Sequence, residues 1–282
     1  MHLGNARSAL LGWLFAKSLG AEFHLRIEDL DATRCKPQHV DALYRDLEWL
    51  GLGWDGPVLK QSERSDVYRE ALGSLQAKGL TYFCTCSRAD LARAASAPHE
   101  GEDGPIYPGT CRAGVTQPGR PASVRFRPGG GPTSFVDLIH GPYTQDVETA
   151  VGDFVVRRAD GIAAYQLAVV VDDAATGITH VLRGDDLLSS TPRQLQLYAA
   201  LGLTPPQFAH VPLLLDDQGR RMAKRDGSST VAFFRDRGDD PRALLGRLAK
   251  WSGLGSGDPV TALELSRGFT LEALRRDAVI AA

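Results

Sequence analysis

What constrains the fold most is how the chain begins: a helix-length apolar periodicity feeds directly into a strictly alternating run. Ala6, Leu10, Trp13 and Leu14 recur at helical spacing up to Lys17. From Glu22 to Asp29 the pattern changes to period two. Phe23, Leu25 and Ile27 face one way, and His24, Arg26 and Glu28 face the other. The helix opens on His2-Leu3-Gly4-Asn5. Such a start presents free backbone N–H groups and the positive end of a dipole, which favour phosphate. Gly4 lets a flat ligand approach the backbone. Four residues carry weight only if a second phosphate-handling motif appears downstream.

Asp29, Asp31 and Arg34 crowd the C-terminal end of the alternating run, where open α/β sheets place their ligands. Two readings stand there: a solvated strand end with an Arg–Asp pair, or a site in which Glu28 receives an ammonium group. Val40, Leu43, Leu47 and Leu50 mark a second helix, with Pro37 near its start and Gly51 past its end. A third spans Ser65 to Lys78 and stops at Gly79, before the short strand Leu80-Thr81-Tyr82-Phe83. Units in this order predict a parallel α/β sheet.

Between residues 87 and 120 the composition shifts to Ala, Gly, Pro and Glu, which marks a surface excursion. Strand-like runs follow at Ser123–Arg127, Thr133–Ile139 and Asp153–Arg157. Leu167-Ala168-Val169-Val170-Val171 reads as a buried strand closed by Asp172-Asp173. Thr179–Leu182 is another strand, and Thr191–Leu201 a helix with Pro192 in its first turn. Val211–Leu215 runs as a strand into Asp216-Asp217-Gln218-Gly219 and then Arg220-Arg221-Met222-Ala223-Lys224-Arg225-Asp226-Gly227. Leu244, Leu245, Leu248 and Trp251 indicate a helical tail. The basic loop between two glycines suits a polyanion that is gripped and then released. A solvated charge run is the competing reading.

Lys and Arg total 32 against 34 Asp and Glu, so any nucleic-acid contact requires a local basic patch. Four cysteines among 282 residues argue against a disulfide framework and for a reducing compartment. Lys17 ends the first apolar run before a strand-like pattern, unlike a secretory leader, and no run reaches the length of a membrane span. The expected location is cytoplasmic. Cys84 and Cys86, with Cys111 in the same excursion, offer thiolates to a metal that would pin a loop-rich segment. A buried cysteine is equally a small hydrophobe, and Cys35, without a near partner, is read as structural.

His2-Leu3-Gly4-Asn5 and Arg221-Met222-Ala223-Lys224-Arg225 resemble the HIGH and KMSKS signatures of class I aminoacyl-tRNA synthetases. Asn5 replaces the last His, and the second motif keeps its cations. Arg26-Ile27-Glu28-Asp29-Leu30-Asp31, Trp54-Asp55-Gly56, Gln61-Ser62-Glu63-Arg64, Val181-Leu182-Arg183-Gly184-Asp185-Asp186 and Ser190-Thr191-Pro192-Arg193-Gln194 resemble the glutamyl branch. The short helical tail, the segment Ala164–Asp173 and the pattern Cys84-x-Cys86, Tyr107-x3-Cys111 are similar to the glutamyl-Q tRNA(Asp) synthetase family.

The resemblance implies an α/β fold: a Rossmann-like parallel sheet of HUP type with an inserted zinc-bearing α+β subdomain and a short helical tail. It divides the chain into 1–83 and 183–235 as the two halves of the catalytic core, 84–182 as the insertion and 236–282 as the tail. It implies ATP-dependent activation of L-glutamate and transfer to queuosine in the anticodon of tRNA(Asp), by a monomer without a large anticodon-binding region. Residue by residue, it places His2 and Lys224 in catalysis, and His2, Gly4, Asn5, Arg221 and Lys224 at ATP, which acts with Mg²⁺. Glu28, Tyr165 and Arg183 would bind glutamate, and Cys84, Cys86, Tyr107 and Cys111 would hold Zn²⁺. The family also carries a strand and an Arg-containing loop before its HIGH signature, where this sequence has Met1. A chain made as written is therefore expected to expose two strand edges, fold poorly and turn over weakly. Charging of tRNA(Glu) and non-catalytic RNA binding stay open as alternatives.

Overall fold

The computed structural model describes residues 1–31, 35–87, 89–91, 106–215, 219 and 229–280. Helix α1 (Leu3–Ser18) is capped by His2, whose Nδ1 accepts a hydrogen bond from the Gly4 amide at 3.2 Å. Leu3, Ala6, Leu10, Leu11, Trp13, Leu14 and Phe15 are all buried. A helix apolar on most of its circumference belongs inside a core. It packs against strand β8 (His180–Gly184) and the tail helices.

Strand β1 (Arg26–Ile27) pairs in parallel with β2 (Leu59–Lys60), and helix α2 (Pro37–Trp49) connects them with Pro37 in its first turn. Only two residues of the alternating run are laddered, because β1 meets a partner that is equally short. Helix α3 (Ser65–Ala77) leads to an antiparallel sheet in the order β3 (Thr81–Cys84), β4 (Ser123–Phe126) and β7 (Phe154–Arg157). The hairpin β5 (Pro132–Asp137) with β6 (Gly141–Asp146), and the single turn of helix α4 (Val147–Ala150), lie between β4 and β7.

Residues 167–171 are not a strand. They form the centre of helix α5 (Tyr165–Ala175), buried beneath α3 and helix α6 (Thr191–Leu201). A short continuous apolar run reads alike for a strand and for a helix enclosed on all sides, and here tertiary burial overrides the strand preference of three valines.

Strand β8 pairs in parallel with β9 (Gln207–Val211) in the register Arg183↔His210. The expected run Val211–Leu215 is broken at Pro212, which has no backbone donor to give a ladder. Leu214–Leu215 resumes as β10 and pairs in parallel with β11 (Val279–Ile280). Helices α7 (Val231–Asp236), α8 (Pro241–Ser252) and α9 (Ala262–Ser266) lie between β10 and β11 in the chain. The parallel strands thus form separate pairs rather than one sheet. Between β1 and β8 lies a cavity of about 460 Å³, lined by Phe15, Leu25, Arg26, Asp173, His180 and Leu182.

Two apolar clusters support this frame. One joins α1, β9 and the tail helices through Leu10, Leu14, Val211, Leu248 and Trp251. The other joins α3, α5, α6 and the antiparallel sheet through Leu75, Phe126, Val156, Leu167 and Leu197. No helix among the described residues is long and apolar enough to cross a membrane.

Candidate active site

Helix α1 begins on the wall of a cavity of about 690 Å³, lined by His2, Gly4, Asn5, Arg183, Asp186 and Leu214 among others. A Cβ at Gly4 would meet only His2 Nδ1, at 3.6 Å, so internal packing does not demand glycine there. What glycine leaves is an open floor. The other side of the helix start is fixed by Arg7, missed in the sequence reading. Its Nε donates to Ser252 Oγ at 2.9 Å and its Nη1 to the Pro212 carbonyl at 2.6 Å. Burial lowers the Arg7 guanidinium to about 10, with Asp185 opposing. Arg221 and Lys224 lie outside the described residues, but the flanks of their segment reach this cavity. Leu214 lines it, and Thr230 bridges to His2 while the Val231 amide donates to the Met1 carbonyl at 2.8 Å.

Glu28 and Tyr165 line a second cavity, of about 1020 Å³, together with Gln61, Arg193 and the cysteine region. Tyr165 is the first residue of helix α5. Burial raises its hydroxyl above the ordinary value, and Arg183 opposes this. Arg183, on β8, borders the first cavity, so the Tyr165–Arg183 contact stands where the two cavities approach each other. Burial holds Arg183 below the usual arginine range, against the electrostatic pull of Tyr165 and Asp173.

Glu28 already has a cation. Arg26 donates to its Oε1 from Nε at 3.3 Å and from Nη2 at 3.1 Å, and also pairs with the buried Asp173. Burial alone would lower Arg26, but Asp173 and Glu28 raise it. Both bonds to Glu28 land on one oxygen. Asp29 is satisfied by the amide and hydroxyl of Ser62 at 2.8 and 2.7 Å. Arg34 lies outside the described residues, whereas Asp31 meets Arg158 at 3.5 Å.

The sequence reading also missed Asp172. Its buried carboxylate accepts from Gln61 Nε2 at 2.8 Å, Arg64 Nε at 2.7 Å and the Tyr68 hydroxyl. Nothing in its spacing distinguishes this role from that of a solvated acid; the polar run Gln61-Ser62-Glu63-Arg64 was the only available sign of partners.

The Sγ atoms of Cys84, Cys86 and Cys111 lie within 4.8 Å of one another. Cys86 Sγ and Cys111 Sγ are 3.6 Å apart, close to the roughly 3.8 Å that two thiolates subtend at a tetrahedral ion with metal–sulfur bonds of about 2.3 Å. The Tyr107 oxygen is 3.3 Å from Cys84 Sγ and 4.0 Å from Cys86 Sγ, and accepts the Cys111 amide at 2.8 Å. Gly152 makes this approach possible, because a Cβ there would lie 2.6 Å from the Tyr107 carbonyl. Burial raises Cys111, but hydrogen bonds involving Thr85, Thr116 and Tyr107 outweigh it and bring the thiol down to about 6. Burial and the neighbouring thiols push Cys86 up to about 11. A dication would relieve this conflict between thiolates. The donor set therefore fits a soft metal ion.

Comparison with known proteins gives these cavities a family. The model of the class I tRNA synthetase catalytic domain of the E and Q types matches residues 1–278. The glutamyl-Q tRNA(Asp) synthetase of Symbiobacterium thermophilum is 49% identical over 297 residues, spanning 99% of this chain and 91% of that protein. The chain belongs to the glutamyl-Q tRNA(Asp) synthetase family. A second member, from Deinococcus radiodurans, is 48% identical over 94% of this chain and 90% of its own length. A glutamate–tRNA ligase of Geobacter sulfurreducens is 44% identical, and the chain covers only 60% of it. The fold agrees. The crystal structure of a glutamate tRNA ligase from Elizabethkingia meningosepticum, in complex with its amino acid, superposes with a TM-score of 0.83 at 27% identity. That match takes in the whole of this chain and 64% of the ligase. The α/β core of this family is thus a class I synthetase core.

Proposed function

We propose that this chain is an ATP-dependent ligase that activates L-glutamate and transfers it to queuosine in the anticodon of tRNA(Asp). The observation that carries the reading is the 49% identity sustained over 91% of a glutamyl-Q tRNA(Asp) synthetase. In the first step a glutamate carboxylate oxygen attacks the α-phosphorus of ATP in line, and pyrophosphate leaves. The protein's work is positioning and charge stabilisation. His2, Gly4 and Asn5 would receive ATP at the start of α1, and Arg221 and Lys224 would neutralise the departing phosphates. Mg²⁺ would accompany ATP. Glu28 would take the amino group of glutamate through the oxygen that Arg26 leaves unbonded, with Tyr165 and Arg183 on the carboxylate side. Arg183 suits that role because its planar fork matches a carboxylate.

Zn²⁺ is the ion this reading assigns to Cys84, Cys86, Cys111 and Tyr107, where it would fix the segment that follows β3. The division into 1–83, 84–182, 183–235 and 236–282, a monomeric state and a cytoplasmic location belong to the same reading. Freshly purified protein is expected to contain about one zinc ion per chain by elemental analysis, and Cys111→Ser to lose most of it. Metal-free native protein would remove the assignment.

The function is tested in two stages. ATP–pyrophosphate exchange should occur with glutamate and no RNA; its absence overturns the enzyme. Labelled glutamate should then appear on tRNA(Asp) that carries queuosine and not on tRNA(Asp) that lacks it. Label found instead on the 3′ end of tRNA(Glu) would reject the queuosine acceptor.

A further inference from the structure

The partners of Arg183 form a set that neither the family roles nor the cavity linings explain. Its Nε donates to His210 Nε2 at 3.0 Å, and its Nη2 donates to Thr191 Oγ1 and Gln194 Oε1, both at 2.8 Å. His210 is the register partner of Arg183 on the adjoining strand and is fully buried. Its other nitrogen, Nδ1, lies 2.6 Å from Asp137 Oδ2. Asp137 is itself buried at the end of β5, and its Oδ1 accepts the amides of Ile139 and His140 at 3.0 and 2.9 Å.

This chain of contacts fixes a protonation state. An arginine can only donate, so Nε2 of His210 must offer a lone pair. The ring proton then sits on Nδ1 and is given to Asp137, and the imidazole is neutral. Burial, with the positive Arg183 beside it, opposes the charged ring, although Asp137 acts in the other direction. The outcome for Arg183 is unusual. All three side-chain acceptors named above are neutral, and on the His210 side the carboxylate of Asp137 stands one ring away from the guanidinium. Asp173, already paired with Arg26, also pulls on Arg183 electrostatically. Direct contact with Asp137 would have set a second of the protein's own carboxylates against the ligand's. The imidazole transmits orientation without adding that charge.

We propose that Asp137 and His210 are positioning residues for Arg183, and that they set affinity for the amino acid by holding His210 in its Nδ1–H form. The proposal rests on Arg183 binding the substrate carboxylate, as in the function proposed above. Three variants separate it from a packing role. His210→Leu removes the acceptor. Asp137→Asn keeps the size but turns an amide donor toward Nδ1, which drives the proton to Nε2 and opposes two donors at Arg183. His210→Gln restores one donor and one acceptor side by side.

In exchange assays H210L and D137N should each raise KM for glutamate by about tenfold or more, with KM for ATP within about twofold, and H210Q should recover most of the loss. Unchanged KM for glutamate in folded H210L and D137N overturns the proposal. So does a parallel change in every constant with H210Q no better than H210L, which would mean simple packing. A second measurement does not depend on turnover. Nitrogen-15 NMR of the histidines should show His210 neutral with its proton on Nδ1, moved to Nε2 in D137N. A native His210 that is charged or carries its proton on Nε2 at neutral pH overturns the relay even if the enzyme is active. Absence of exchange alongside the Nδ1–H form would instead sink the function and leave the relay standing.

Discussion

Asp172→Ala is expected to destabilise the fold by about 3 kcal/mol, toward the lower end of what breaking a buried charge pair costs. The Asp172 side chain is fully buried, whereas that of Arg64 retains 21% exposure. Water can therefore reach part of the orphaned guanidinium, which keeps the loss below the upper limit. The Gln61 amide and Tyr68 hydroxyl have no such escape. Both are buried and lose the same acceptor at once. For a domain of this size the loss corresponds to a fall in melting temperature of about 6–12 °C. Asp172→Asn should lose less, because one oxygen remains to accept while its amide confronts the Arg64 donor. Calorimetry on both variants checks the order. D172A melting together with the native protein would show that α3 and α5 are held by apolar packing alone.

The second large effect is on chemistry. Arg183→Lys should lower kcat/KM for glutamate by roughly a hundredfold or more. Lysine keeps the charge but has a single nitrogen. That nitrogen cannot satisfy His210, Thr191 and Gln194 and also meet a carboxylate in a plane. The buried acceptors would be left partly unpaired, which adds to the loss. Exchange kinetics with glutamate and ATP varied separately test this, and the main effect should appear with glutamate. An R183K enzyme with native kcat/KM would remove Arg183 from the amino-acid site.

Local signals wrote much of the fold legibly. Pro37 marks the first turn of α2, and Gly79 follows α3 with a φ of 68°, open to glycine and strained for other residues. The apolar stretch that opens the chain is too long for a strand, and α1 takes it up as sixteen helical residues although it is buried on most sides. Residues 167–171 misled because the apolar run is only five residues long and includes the β-branched Val169, Val170 and Val171, a length and composition that fit a strand. The pairing of parallel strands is non-local, and nothing along the chain says that β1 and β8 stand on either side of a cavity.

The site divides in the same way. His2, Glu28, Tyr165 and Arg183 could be named because they sit in motifs. The structure brings Glu28 and Tyr165 to one cavity and His2 and Arg183 to the other. Arg221 and Lys224 fall outside the described residues. Asp137 and His210 carried no signal. They are 73 positions apart; Asp137 is one of several polar residues in the expected run Thr133–Ile139, and His210 directly precedes the expected run Val211–Leu215, a pattern that fits a solvated edge as well as a buried pair.

The pairing of Leu214–Leu215 with Val279–Ile280 has a practical meaning. The Val279 amide donates to the Leu213 carbonyl at 3.1 Å, and Leu213 lines the cavity at the start of α1. Residues 279–280 thus clasp the backbone that leads into the basic segment, so a label or affinity tag joined close to them would pull on the wall of that cavity. A purification handle is better separated from the clasp by a flexible spacer, and a fluorophore placed beside it would report on the cavity at the start of α1 from a position some sixty-five residues away in sequence, the interval between Leu214 and Val279.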